Sequence, residues 1–336
     1  MKTINYILFF VILFGFYLIF TIFFQKNYVS KSKITIESDY TIEEVIDELN
    51  SSGDLKNEWA FRLLSKVKKY DTNIRVGNFF LEGEYRLNDL INAIRIRNRE
   101  ILNLQIPENI RLIEDMIQLI EDSVGYERGE MVDYLDSSDF LKRNDLTIET
   151  LPAFFIPNTY QIYKGLSIES FLSRMEKEYA SFWNPNRLAL CDSLGITKIE
   201  VSILASIVEE EQDKRLDERS KIAGVYLNRL RNPLSFPFLQ ADPTVKFANN
   251  DFLIKQVLNK HLKIDNPYNT YKYKGLPPGP ICIPSIHAID AVLNAKEHDY
   301  YFMCAGSNGD GYHKFTSTNK EHNKNKKKMK QFEGFK

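Results

Sequence analysis

From Ile4 to Phe24 the chain carries no charged residue, and only Asn5, Gly15 and Thr21 interrupt a run of Ile, Leu, Phe, Val and Tyr. A segment this apolar has few places to go. Its 21 residues, at a helical rise of 1.5 Å each, reach about 30 Å, the thickness of a bilayer's hydrocarbon core. A cleaved export signal has a shorter apolar core and a small-residue cleavage site. This run ends Phe23-Phe24-Gln25-Lys26-Asn27-Tyr28, with no Ala-x-Ala. The reading is an uncleaved single-pass anchor over residues 1–25 with a short cytoplasmic end; the alternative is a buried core helix. Flanking charge does not orient the span, because Lys2 precedes it while Lys26, Lys31 and Lys33 follow. One span before a long soluble remainder makes the amino end inside and the rest outside the default arrangement.

The whole chain is 336 residues, 43% apolar and 26% charged, the make-up of folded protein. At roughly 150 residues per domain it holds about two domains. Its 44 Lys and Arg nearly cancel 45 Asp and Glu, leaving a net charge of −1. That argues against a bulk electrostatic grip on nucleic acid, which normally needs a strongly basic domain, and leaves local patches open. Cys191, Cys282 and Cys304 are too few for a disulfide framework and form no CxxC pair.

Residues 26–33 are polar and short, which predicts a juxtamembrane linker. Residues 34–105 read as a small α/β module. Ile34-Thr-Ile-Glu37 predicts a strand, and Ile42, Val45, Ile46 and Leu49 have helical spacing. Tyr85, Leu87, Leu90, Ile91 and Ile94 repeat the spacing of Tyr40 and those four, suggesting a duplicated strand-then-helix unit. Residues 106–336 form a second region. Its clearest helix runs from Thr197 to Gln212, with Thr197 and Glu200 placed as a capping box. Further helices are expected at Arg111–Ile120 and Asp217–Leu230, ordered loops at 231–247 and 265–285, and a hairpin of Tyr300–Ala305 and Tyr312–Thr318 turning at Gly306–Gly311. The lysine-rich tail, Lys320 to Lys330, reads as a solvated helix face, with an anionic-surface contact as the sharper alternative.

On the 197–212 helix, Ile203, Leu204, Ile207 and Val208 make an apolar stripe that Glu211 shares. Glu209 falls opposite, beside Ser202, Ala205 and Ser206. A small-residue face ending in a carboxylate leaves room for a bulky ligand; it is also what an exposed polar face looks like. Glu211 calls for a partner, with Arg219 or Arg229 as candidates, and a structural ion pair is its expected role. The five histidines have no metal-ligand spacing, and there is no GxSxG, Walker loop or HExxH. Cys191 sits in an amphipathic stretch and reads as core.

Leu204-Ala-Ser-Ile-Val-Glu-Glu-Glu211, Ala223-Gly-Val-Tyr-Leu-Asn-Arg-Leu230, Leu239-Gln-Ala-Asp-Pro-Thr-Val245, Pro267-Tyr-Asn-Thr-Tyr271, Gly275-Leu-Pro-Pro-Gly-Pro280 and His313-Lys-Phe-Thr-Ser-Thr318 stand in this order along the chain. Together they resemble the YceG-like (MltG) family of membrane-anchored endolytic murein transglycosylases. Ile156-Pro-Asn-Thr-Tyr160 and Gly83-Glu-Tyr-Arg-Leu87 extend the likeness upstream. The departures are Ile281-Cys-Ile-Pro-Ser285 in place of Asn-Pro-Gly, Asn158 in place of an Asp, and the proline- and aromatic-rich loop 231–238.

The resemblance implies an α+β fold: a transmembrane helix, a LysM-like α/β module, and an α+β catalytic domain. It implies cleavage of MurNAc–GlcNAc β-1,4 bonds within nascent glycan strands to give 1,6-anhydroMurNAc ends, terminating their elongation. By motif position the catalytic acid is Glu209. Gln240, Asn269 and Tyr271 become candidates to hydrogen-bond sugars, each equally explicable as a loop brace, and Glu211 and Asp242 supporting residues. Glu210 is expected to face solvent, with loops 239–247 and 267–280 walling the cleft; a neutral amide at Asn269 facing the anomeric carbon would favour anhydro formation over hydrolysis. No metal or organic cofactor is implied. The implied partners are peptidoglycan strands, the inner membrane, with catalysis on its extracytoplasmic side, and peptidoglycan synthesis enzymes. The alternatives are a hydrolytic muramidase and a non-catalytic, membrane-tethered glycan-binding protein.

Overall fold

The computed structural model describes residues 2–37, 40–97, 101–163 and 166–334, with side chains left out at 2–5, 7–8, 27–33, 54, 78, 80, 82, 96–97 and 333–334. The side chains of Lys2, Ile4, Asn5, Tyr28, Lys31 and Lys33 therefore lie outside the described residues. The chain divides into two compact units: 1–104 with 122–127 and 160–171, and 105–121 with 128–159 and 172–336. The expected break at 105 is thus crossed twice by segments returning to the first unit.

The first unit opens with helix α1 (Lys2–Phe23). Phe9, Phe10 and Phe16 are 58–67% exposed, whereas Phe14 and Tyr17 stack on Trp59 with ring centroids 6.2 and 6.0 Å away. Among the described residues no helix is long and apolar enough to cross a membrane. Strand β1 (Lys26–Ile36) takes in the whole stretch expected to be a linker. That correction has a non-local cause: β1 pairs antiparallel with β3 (Gly77–Arg86), Lys26 opposite Arg86 and Ile36 opposite Gly77. Between them lie α2 (Ile42–Ser52), the two-residue β2 (Gly53–Asp54) on the other edge of β1, and α3 (Glu58–Val67); α4 (Leu87–Asn92) follows. Thr41 and Glu44 close a capping box at the start of α2. The two parallel spacings converge on one core: Val45, Ile46 and Leu49 pack with Leu87, Leu90, Ile91 and Ile94, closed by Ile34, Ile36 and Phe79.

Strand β4 (Ile101–Ile106) pairs with β5 (Asn158–Tyr163). Between these come α5 (Ile113–Val124), α6 (Glu130–Ser137) and the short α7 (Phe140–Arg143). Then follow α8 (Ile168–Phe182), α9 (Pro185–Leu194), α10 (Lys198–Glu211), α11 (Arg219–Arg231), α12 (Asp242–Ala248) and α13 (Ile286–Leu293). Strands β6 (Phe302–Ala305) and β7 (His313–Thr316) make the expected hairpin, and α14 (Asn319–Gly334) ends the described chain with its lysines exposed. The 231–247 loop is thus helical in its last part.

Helix α10 is the axis of the second unit, buried from Val201 through Glu209. Thr197 caps it, accepting from the Glu200 amide at 3.2 Å, while Glu200 takes the Thr197 amide at 2.7 Å. Such a cap is worth about 1 kcal/mol. The face of Ser202, Ala205 and Ser206 is fully buried, so it is not the exposed polar face that its composition allowed. Nor does it hold a ligand there. The chain's own segment 281–285 lies against it: the Ser206 hydroxyl accepts the Ile281 amide at 3.0 Å and donates to the Ile203 carbonyl at 2.7 Å. Small side chains are what let that backbone approach.

Candidate active site

The ends of α10, α11 and α13 meet around one carboxylate. Glu209, at the last buried turn of α10, is 3% exposed. Its Oε2 accepts the backbone N–H of Ser285 at 2.6 Å. Ser285 is the N-cap of α13, its hydroxyl accepting the Ala288 amide at 3.1 Å, so Glu209 completes the capping of that helix start. Its Oε1 lies 3.3 Å from Nη2 of Arg219, the first residue of α11. Arg219 is itself buried and has its other donors used: Nε to the Gln212 carbonyl at 2.9 Å and Nη1 to the Ser285 hydroxyl at 3.1 Å.

These contacts pull the Glu209 pKa in opposite directions. Burial raises it and is the largest cause; the Ser285 hydrogen bond and the Arg219 charge lower it; the charge of Glu108 raises it again. Burial wins, and the carboxyl sits above the ordinary glutamate range. A raised pKa favours the protonated form of the carboxyl, the form that a general acid needs.

Glu209 opens onto a cleft of about 830 Å³, a size that suits a substrate rather than a water. Its walls include Glu108, Asn109 and Arg111, which precede α5, Lys246 and Phe247 of α12, and the Ile281–His287 stretch. Glu210 lines it too, but does not simply face solvent: Arg111 Nη2 holds its Oε1 at 2.8 Å, leaving its side chain 19% exposed. The wall expected from 267–280 is supplied instead by Ile281, Ser285, Ile286 and His287.

The other candidates gather elsewhere. Asn269 is fully buried. Its amide donates to the carbonyls of Leu262 and Ile264 at 3.0 and 2.9 Å, and its oxygen accepts the Tyr271 amide at 3.1 Å. Both polar atoms of its side chain are thus bonded within the loop. Tyr271 donates to Asp242 Oδ1 at 2.6 Å. Gln240 has a left-handed backbone (φ 50°) and gives its N–H to the Thr270 carbonyl at 3.1 Å, stitching the two loops together. None of the three lines the cleft. Glu211 finds neither expected arginine as an ion-pair partner. Arg219 is taken by Glu209, Arg229 donates to the Tyr301 and Leu239 carbonyls, and the Tyr226 hydroxyl donates to Glu211 Oε1 at 2.6 Å. Burial raises the Glu211 pKa as well, and the charge of Asp242 adds to it. Glu211 and Asp242 thus belong to a braced cluster distinct from the Glu209 cleft.

Ser285 and Arg111 are the parts of the cleft that sequence reasoning passed over. Pro284-Ser285 before an apolar run is a helix-start signal, but nothing local says that its amide meets a residue 76 positions earlier. Among the described residues no group of His, Cys, Asp and Glu is arranged to hold a metal ion.

Residues 34–328 match the model of the YceG-like family. An endolytic murein transglycosylase of Bacillus subtilis is 28% identical over 320 residues, covering 90% of this chain and 86% of the relative. One of Streptococcus pneumoniae is 26% identical over 340 residues, but the match spans only 58% of that longer protein. A crystal structure of a YceG-like protein from Listeria monocytogenes superposes with a TM-score of 0.54 over 88% of this chain and 98% of that one, at 23% identity.

Proposed function

The chain belongs to the YceG-like family, and on that premise we propose that it is an endolytic murein lytic transglycosylase with Glu209 as its proton-transfer group. The observation that carries the reading is a buried carboxyl, raised in pKa, opening onto a substrate-sized cleft. An ordinary glycosidase divides its work between two carboxyls. A lytic transglycosylase needs one, because its nucleophile is in the substrate. Glu209 gives its proton to the GlcNAc O4 as the bond from MurNAc C1 breaks. The MurNAc C6 hydroxyl then closes on C1, and its proton goes to Glu209. The enzyme returns to its starting state, no water is consumed, and the product ends in 1,6-anhydroMurNAc.

Arg219 and the Ser285 amide have a part in both halves of this cycle. They stabilise the carboxylate that exists between the two proton transfers without displacing the proton before the first. Cleavage within nascent strands would end their elongation, and would place the enzyme beside those that synthesise them. The apolar run in α1 supports a single-pass anchor in the cell membrane with the cleft on the extracytoplasmic side. The strand–helix–helix–strand order of β1, α2, α3 and β3 supports a LysM-like module that holds glycan.

A hydrolytic muramidase is the second reading. Glu108 favours it, since this cleft carboxylate is near enough for its charge to act on Glu209 and would be the group to activate water. The product decides between the two: digestion of peptidoglycan should release fragments one water lighter than hydrolysis gives. Reducing ends alone would establish the muramidase.

A further inference from the structure

Beside the Glu209 cleft lies a second cavity of about 330 Å³, walled by Ile110, Leu112, Asp115 and Leu119. Asn109, Arg111 and Phe252 line both cavities. The two therefore adjoin, and at their boundary the Arg111 guanidinium lies over the Phe252 ring, 5.0 Å from its centroid.

The boundary is braced rather than loose. Glu210 holds Arg111 from the main-cleft side at 2.8 Å. Asn109 has a left-handed backbone (φ 68°), a conformation that Asn tolerates better than most residues. Its N–H donates to the Ile283 carbonyl at 2.9 Å, and the Ile283 N–H donates to the Ile110 carbonyl at 2.8 Å. The wall shared by the two cavities is thus sewn to the same 281–285 segment that presents the Ser285 amide to Glu209. The distance from the reacting carboxyl to the second cavity is set by backbone.

The second cavity mixes apolar and polar lining residues. Ile110, Leu112, Leu119 and Phe252 offer apolar surface for the C–H face of a pyranose and an acetamido methyl, while Asn109 and Asp115 offer groups for hydroxyls and the acetamido N–H. Both cavities fall in the size range of ligand sites.

We propose that this second cavity is a remote glycan subsite, which takes an N-acetylhexosamine of the same strand some units away from the bond that Glu209 addresses. The inference rests on the transglycosylase reading for the identity of the strand. It adds that the strand runs past the Arg111–Phe252 boundary, and that cleavage within a strand is favoured because a chain end cannot fill both cavities.

The test is binding, measured by calorimetry on the full-length Glu209→Gln protein, which cannot turn its ligand over. The probes are peptide-free glycan oligomers of alternating N-acetylglucosamine and N-acetylmuramic acid, in lengths that fill one cavity or both. Longer oligomers should bind at least about tenfold more tightly, the equivalent of about 1.4 kcal/mol. Adding Leu119→Trp, which fills the second cavity from a half-buried position, should reduce that ratio to near unity. Phe252→Ala should do the same from the boundary, and guards against misfolding of the first variant. Affinity indifferent to length, or a length gain that survives both substitutions, would overturn the subsite. Digestion by the unsubstituted protein separates the two ideas. If it cuts no glycan while the length gain appears, the reaction falls and the subsite stands; if it cuts while no length gain appears, the subsite falls and the reaction stands.

Discussion

Arg219 Nη2 lies 3.3 Å from Glu209 Oε1, with both side chains about 5% exposed or less. A buried arginine next to a proposed acid would be expected to strip its proton, yet the carboxyl stays above its ordinary range because burial outweighs the charge. The pair therefore holds the Glu209 pKa below the level that burial alone would give.

Replacing Arg219 with Gln removes the charge that lowers the Glu209 pKa. The carboxyl should then hold its proton to higher pH, and the alkaline limb of the rate profile should move toward higher pH. Stability should fall by about 3 kcal/mol at neutral pH, the usual effect of leaving a buried charge without its partner. The loss should shrink as pH falls and Glu209 becomes neutral. An unmoved alkaline limb would separate Arg219 from the titration.

Glu209 also makes stability depend on pH. Its folded pKa is raised, so the folded state binds the proton more tightly than the unfolded chain does. The stabilisation is fully present below the unfolded glutamate pKa and is lost as pH rises through the folded one. Melting temperatures of the native protein and Glu209→Gln, compared across pH, should show the native protein losing ground over that window and running parallel above it. Parallel curves throughout would mean that the carboxyl is not perturbed.

Gly224 lies inside α11, where alanine ordinarily stabilises a helix by about 1 kcal/mol. Here a Cβ would collide with the Lys296 carbonyl and the His298 ring. Gly224→Ala should instead lower the melting temperature, because a backbone carbonyl cannot move aside as a flexible side chain would. A stabilised variant would show that the 296–298 segment yields.

Asn269→Asp should destabilise the protein by about 2 kcal/mol or more, since a carboxylate would face the Leu262 and Ile264 carbonyls that now accept the amide. Denaturant titration measures this. An undisturbed midpoint would indicate that the loop does not depend on the amide.

The legible parts of the fold were those written in neighbouring residues. The Thr197–Glu200 box, the α2 spacing, the 300–318 hairpin and the helical, exposed tail each depend on contacts a few positions apart. Residues 26–33 read as a linker because their partner, β3, lies some fifty positions away and nothing in a polar stretch announces it. The small-residue face of α10 was visible, but its occupant was not: segment 281–285 fills it, and periodicity cannot say which part of the chain will come to lie there. Glu209 was singled out by its motif and its position on the helix. The groups that tune it, Arg219 and the Ser285 amide, come from two other helix starts and emerge only in three dimensions. Asn269 and Tyr271 bond through their side chains to the loops around them, and Gln240 joins those loops through its backbone N–H, contacts that no local pattern announces.

The central claim is tested most directly by digesting peptidoglycan with the native protein and with Glu209→Gln and weighing the products by mass spectrometry. Gln keeps an oxygen for the Ser285 amide and preserves the shape, but it has no proton to give, and positioned acid–base groups contribute about 10²–10⁴-fold to rate. The account predicts anhydro-ended fragments from the native protein and a loss of that size in the variant, which should still fold and bind glycan. Native products that carry only reducing ends, or a variant that cleaves at the native rate, would contradict it.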